Sequence, residues 1–170
     1  EYADPGSVDG LEMLKTSGLP FVVLRTFSKA YGLAGLRVGY AVCSDAEIAR
    51  VMGSAKTPFN VNAAAQLAAV AALDDAARMR ASVARLRTER ARVAKAIKTL
   101  GLRVADSQTN FLFFECRGDS AEQASALLRQ GIIVKAWREA GYERFMRATI
   151  GSMQDNDRLL AALAVLNPAP

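Results

Sequence analysis

The chain has 170 residues, half of them hydrophobic, and 22 Lys and Arg against 17 Asp and Glu give a net charge of +5. That length suits one globular domain or parts of two; no apolar run approaches the roughly 20 residues of a membrane helix and no signal peptide opens the chain, so a cytoplasmic protein without a membrane partner is expected. Histidine is absent, which removes Ser-His and Cys-His catalysis and the usual zinc sites, and two distant cysteines, Cys43 and Cys116, suit reduced thiols better than a disulfide framework.

Residues 21–24 and 38–42 are apolar runs of strand length. Between them lie Thr26, Ser28, Lys29 and Arg37, with Gly32, Gly35 and Gly39 spaced among them. Lys29 therefore stands just beyond a strand end, where α/β sheets place their chemistry. The glycines allow turns or the close approach of a ligand. Two hydroxyls and a planar guanidinium beside a primary amine could hold an anion and an amine-reactive carbon together.

Downstream, residues 45–52 read as a short helix that Ser44 could cap, with Asp45 and Glu47 near its positive end. The alanine-rich stretch 61–73 is expected to be a closely packed helix buried on much of its circumference, with Asn60 and Asn62 available as caps. A long helix follows over 74–100. Met79, Val83, Leu86, Val93, Ile97 and Leu100 form its apolar stripe, and Arg90 interrupts it. The other faces carry Arg78, Arg80, Arg85, Arg87, Arg92, Lys95 and Lys98. Without stacking aromatics, and with Glu89 among the cations, this pattern favours a solvated face over a nucleic-acid surface.

Gly101 is placed to close that helix. Strands are expected at 102–105, 110–115, 132–134 and 146–150, with helices at 120–129, capped by Ser120, and at 155–166, before a tail containing Pro168 and Pro170. The order strand, strand, helix, strand, strand, helix describes a small α+β lobe.

The segment TFSKAYGLAGLRVGY, with a hydroxyl three residues before Lys29 and an arginine eight after it, resembles the Schiff-base lysine motif of fold-type I pyridoxal-phosphate aminotransferases. Its wording is similar to the histidinol-phosphate and aromatic (phenylalanine) aminotransferases. The resemblance implies an α/β, aspartate aminotransferase-like fold. Residues 1–73 would belong to the large cofactor domain, 74–100 to a bridging helix and 101–170 to a small C-terminal domain. It implies pyridoxal 5'-phosphate as cofactor, joined to Lys29 with its phosphate held by Thr26, Ser28 and Arg37. The implied activity moves an amino group between an amino acid, either histidinol phosphate or an aromatic amino acid, and 2-oxoglutarate. A homodimer acting on small molecules in amino-acid metabolism, histidine biosynthesis included, follows from the same likeness.

Further residues are matched to the family's motifs one by one. Arg147, in FMRATIG, resembles the arginine of the "LRITVGT" strand that binds the substrate carboxylate. Asn110, in SQTNF, matches the "S-x-T-N-F" stretch and either shapes the carboxylate site or holds the turn. Lys135 stands where histidinol-phosphate aminotransferases commonly carry the arginine of "GIIVR" that contacts the substrate's phosphate; lysine keeps the charge and loses the fork, which weakens histidinol phosphate as the substrate without excluding it and makes an aromatic or other amino acid more credible. Tyr2 corresponds either to the ring-oxygen tyrosine of the D-E-A-Y motif or to the "EF" segment just after it. The family has a long N-terminal half before its lysine, so an intact enzyme about twice this length is expected, and 170 residues alone are expected to be inactive. Threonine-phosphate decarboxylase, a lyase relative with the same lysine and arginine positions, and a non-catalytic fragment remain alternatives.

Overall fold

Antiparallel hairpin geometry and helix caps organise the chain into two units, Glu1 with Pro5–Ser82, and Tyr2–Asp4 with Val83–Pro170. The computed structural model describes residues 1–168, so Pro170 of the expected tail lies outside the described residues.

In the first unit, helix α1 (Gly10–Thr16) begins where the Asp9 carboxylate accepts from Leu11 N at 2.9 Å. None of its residues is buried. Strands β1 (Val22–Thr26) and β2 (Gly39–Cys43) pair antiparallel, from Val22 opposite Cys43 to Thr26 opposite Gly39. Gly39 lies so close to its partner strand that a Cβ there would stand 2.5 Å from the Arg25 carbonyl oxygen. Because that oxygen belongs to the backbone, it cannot swing away. Gly39→Ala is therefore expected to cost about 2 kcal/mol of stability, measured by denaturant unfolding, and an unchanged midpoint would refute the close approach.

Helix α2 (Ala46–Ser54) is capped by Asp45 and not by Ser44: Asp45 Oδ1 accepts from Ile48 N at 2.9 Å. The Ser44 hydroxyl instead donates to Asp45 Oδ2 at 2.9 Å. That bond and the Ile48 amide hold the Asp45 carboxyl below its ordinary pKa, the backbone donor contributing most. Helix α3 (Ala63–Asp74) is capped by Asn62, which accepts from Ala65 N at 2.8 Å.

The expectation that this alanine-rich helix is buried on much of its circumference is not met. Only Ala65 and Ala69 are buried, while Leu67, Val70 and Leu73 are exposed. The small core of Phe27, Val38, Ala65 and Ala69, with Tyr31, Leu33, Leu36 and Val61 around it, takes up just one stripe of the helix.

The division between units falls inside helix α4 (Ala76–Thr99). Val83, Val93 and Ile97 of the expected stripe are buried, and so is Arg90. Gly101 follows at φ 75°, in the left-handed region that closes a helix. Strands β3 (Phe111–Glu115), β4 (Lys135–Ala136) and β5 (Phe145–Thr149) form an antiparallel sheet in the order β3-β5-β4. Helix α5 (Ser120–Leu128) is capped by Asp119, which accepts from Ala121 N and Glu122 N, so Ser120 is its first residue and not its cap. Helix α6 (Met153–Leu166) starts at the Ser152 cap.

Two expected strands shrink. Residues 102–105 contribute a single bridge, Val104 to Phe114. Residues 132–134 are not a strand because the chain is still closing α5: Gly131 takes φ 74° and Ile132 N donates to Leu127 O at 3.0 Å. One face of the sheet, with Leu112, Phe114, Met146 and Ala148, is buried in a core shared with Val93, Ile97, Leu127, Leu159 and Leu163. Cys116 lies in this core, and burial pushes its thiol up to about 11, so it is protonated and inert near neutrality.

Candidate active site

Lys29 owes its placement to Phe27. Phe27 N donates to Val38 O at 3.2 Å, extending the hairpin ladder past Thr26, and the buried ring packs 4.9 Å from Tyr31 and 5.5 Å from Tyr40. Its carbonyl accepts from Leu33 N at 2.9 Å, while Gly32, at φ 73°, donates to Lys29 O at 2.9 Å. These two bonds close a tight turn with Lys29 at its start and leave the amine exposed. Thr26 Oγ1 accepts from Ser28 N at 3.0 Å and keeps its own hydroxyl proton for another acceptor.

Arg37 follows a short 3-10 turn, Ala34–Leu36, in the left-handed region at φ 56°, ψ 48°. Only Gly32 of the three expected glycines takes a positive φ; Arg37 adopts one itself. Such a conformation is costly for a non-glycine residue and concentrates at functional positions. One guanidinium nitrogen donates to Ala34 O at 2.6 Å, and the side chain is exposed.

Thr26, Ser28, Lys29 and Arg37 thus share the loop end of one hairpin. Lys29 also lines an open cleft of about 590 Å³ with Tyr31, Leu33, Asp75, Arg78 and Met79. A primary amine with hydroxyl and guanidinium donors on one loop suits the aldehyde and phosphate ends of a pyridoxal phosphate. At Gly32 and Gly35 an added Cβ would meet nothing within 4 Å, so the backbone there leaves room.

In the second unit, Lys135 stands directly opposite Arg147, and Arg147 directly opposite Phe113. Paired residues project to the same face, so two cations sit side by side across β4 and β5. Each lies over an aromatic ring, the Arg147 guanidinium 5.0 Å from Phe111 and the Lys135 ammonium 4.6 Å from Trp137. Among the described residues neither makes an ion pair. Like charges directly opposite one another destabilise a sheet unless an anion or solvent screens them.

Asn110 precedes β3, and its carbonyl accepts from Ile150 N at 2.9 Å. Tyr2 belongs to this second unit; its carbonyl accepts from Arg87 Nε at 3.3 Å and from an Arg90 nitrogen at 3.0 Å. Sequence reasoning missed Trp137 as a neighbour of Lys135 and did not separate the half-buried from the buried side chains of 110–115. The alternation in Phe111–Glu115, where only Leu112 and Phe114 are buried, carries the signal.

Residues 5–163 match the family described as aminotransferase class I and II. The chain belongs to that family. Among relatives of this class, a histidinol-phosphate aminotransferase of Rhizobium meliloti is 49% identical over 152 residues, covering 89% of this chain and 41% of the relative. A histidinol-phosphate aminotransferase from Sinorhizobium meliloti, solved in complex with pyridoxal 5'-phosphate, superposes with a TM-score of 0.76 at 30% identity, over 85% of this chain and 40% of the other. The L-threonine-O-3-phosphate decarboxylase of Porphyromonas gingivalis gives 0.73 at 26% identity, over 85% and 46%. The fold is therefore the α/β, fold-type I one of the class I and II aminotransferases, and the chain spans about two-fifths of the length of the curated relatives it matches.

Proposed function

We propose that the chain supplies the lysine and the substrate-carboxylate half of a pyridoxal-phosphate-dependent aminotransferase of the histidinol-phosphate type. The observation that carries it is the Lys29 turn, where the amine, Thr26, Ser28 and Arg37 share one hairpin end. Residues 1–73 are assigned to the cofactor domain and 101–170 to the small domain, with helix residues 74–100 between them in the sequence.

The cofactor, when bound, supplies an electron sink for the substrate Cα. Arg37, Ser28 and Thr26 would hold its phosphate through charge-assisted and hydroxyl hydrogen bonds. Lys29 would hold its aldehyde carbon and, as a free amine, would take the proton from the substrate Cα. Arg147 would fix the carboxylate of an amino acid or 2-oxo acid substrate, Asn110 would shape that end of the site, and Lys135 would offer a point charge to a phosphate such as histidinol phosphate carries. Tyr2 is assigned to the segment after the D-E-A-Y motif, in keeping with the binding of its carbonyl by Arg87 and Arg90.

The amino acceptor is assigned as 2-oxoglutarate. Exposed Phe59, Leu67 and Val70 suit a second copy in a homodimer, and two free cysteines suit the cytoplasm.

The test is a product assay on the complete enzyme that contains this chain. Histidinol phosphate with 2-oxoglutarate should yield glutamate, and borohydride should fix the cofactor on the peptide bearing Lys29. The likeness to a threonine-phosphate decarboxylase supports a second reading, a lyase on the same lysine. Carbon dioxide from threonine phosphate, without glutamate formation, would establish it in place of the transaminase.

A further inference from the structure

Arg90 sits in the apolar stripe of α4 and is 4% exposed. One guanidinium nitrogen donates to two main-chain carbonyls, Tyr2 at 3.0 Å and Thr109 at 2.9 Å, and the other donates to Asp4 Oδ1 at 2.5 Å. Asp4 is bound a second time. Its Oδ2 accepts from Gln108 Nε2 at 3.1 Å, and its N–H donates to Gln108 Oε1 at 2.6 Å. The segment Tyr2–Asp4 is therefore strapped to the turn at residues 107–111 through one buried cation and one amide side chain.

That turn is the one that carries Asn110. Its own bonds are local: Ser107 Oγ meets Thr109 Oγ1 at 2.9 Å and donates to Phe111 O at 2.7 Å. On the side away from Arg90 and Asp4 its tie is the Asn110 carbonyl, which accepts from Ile150 N, the residue just after β5. Displacing Thr109 therefore moves Asn110 and the end of the strand that bears Arg147. A guanidinium reaches two carbonyls and a carboxylate because its donors are fixed in a planar fork; an ammonium keeps the charge but not that span.

We propose that Arg90 is a positioning residue, which uses the Tyr2–Asp4 strap to hold Asn110 and the end of β5 in register for the substrate carboxylate. The inference rests on the assignment of Arg147 and Asn110 to that carboxylate. A purely structural arginine would lower stability and leave substrate affinity alone.

The experiment compares R90K, Q108A and R147A in the complete enzyme, measuring KM and kcat for a substrate that carries a carboxylate, glutamate or an aromatic amino acid, and amide hydrogen exchange by residue. R90K is expected to raise KM about 10-fold with kcat little changed, the size seen when a residue that orients a ligand-binding group is lost. Q108A loosens the strap without touching the buried cation, and should raise KM about 3-fold, short of the full loss. Exchange should quicken at the Asp4 and Ile150 amides and stay unchanged in α6. A KM raised by R147A but not by R90K or Q108A overturns the proposal and leaves the carboxylate assignment standing. A KM unmoved by R147A overturns both. If R90K fails to fold, Q108A decides alone, and an unchanged KM in that variant counts against the strap.

Discussion

Lys29→Ala in the complete enzyme is expected to lower kcat by about ten-thousand-fold, as loss of a covalent catalytic group does in other enzymes. The fold should not notice. Lys29 is exposed, and the turn around it is held by main-chain bonds from Gly32 to Lys29 O and from Leu33 to Phe27 O, neither of which needs the side chain. Equal thermal midpoints with a collapsed kcat would assign the loss to chemistry. A variant that still fixed the cofactor covalently on borohydride treatment would refute the assignment, because another amine would then be the attachment point.

Arg147→Ala is expected to raise KM for every amino acid substrate by about 100-fold, corresponding to roughly 3 kcal/mol of paired charge-assisted hydrogen bonds. Arg147→Lys should recover only part of this, since the ammonium keeps the charge and loses the planar fork. Lys135→Ala separates the two cations. It should raise KM for a substrate that bears a phosphate, such as histidinol phosphate, and spare an aromatic amino acid, whose one anionic group is its carboxylate. Equal effects of Lys135→Ala on both kinds of substrate would show that the two cations act as one site.

The parts of the molecule that were legible in the sequence are those whose chemistry is contiguous. The Lys29 loop compresses an amine, two hydroxyls, an arginine and three glycines into one short stretch where two strands meet, so spacing alone points to it. Arg147 and Lys135 were visible as motif residues, but their pairing was not, because register depends on β4 starting at Lys135 after the α5 closure at Gly131. Arg90 was visible only as an interruption of a stripe. Its partners Tyr2 and Asp4 lie 88 and 86 residues away, beyond any local pattern.

Smaller misses have local causes. Asp45 and Asp119 cap their helices instead of the neighbouring serines, since each carboxylate accepts amides from the first turn. Helix α1 has no buried residue, so no apolar stripe announced it. The alanine-rich α3 promised close packing, yet the first unit's core covers only Ala65 and Ala69.

The side-by-side cations on the three-stranded sheet bear on how any affinity is measured. Without a ligand, Lys135 and Arg147 repel across adjacent strands, and any small anion in solution relieves that load. Phosphate or sulfate in the buffer would then occupy the place proposed for substrate. Such salts would steady the folded protein while weakening its apparent grip on an amino acid, so stability and affinity would move in opposite directions as the buffer changes.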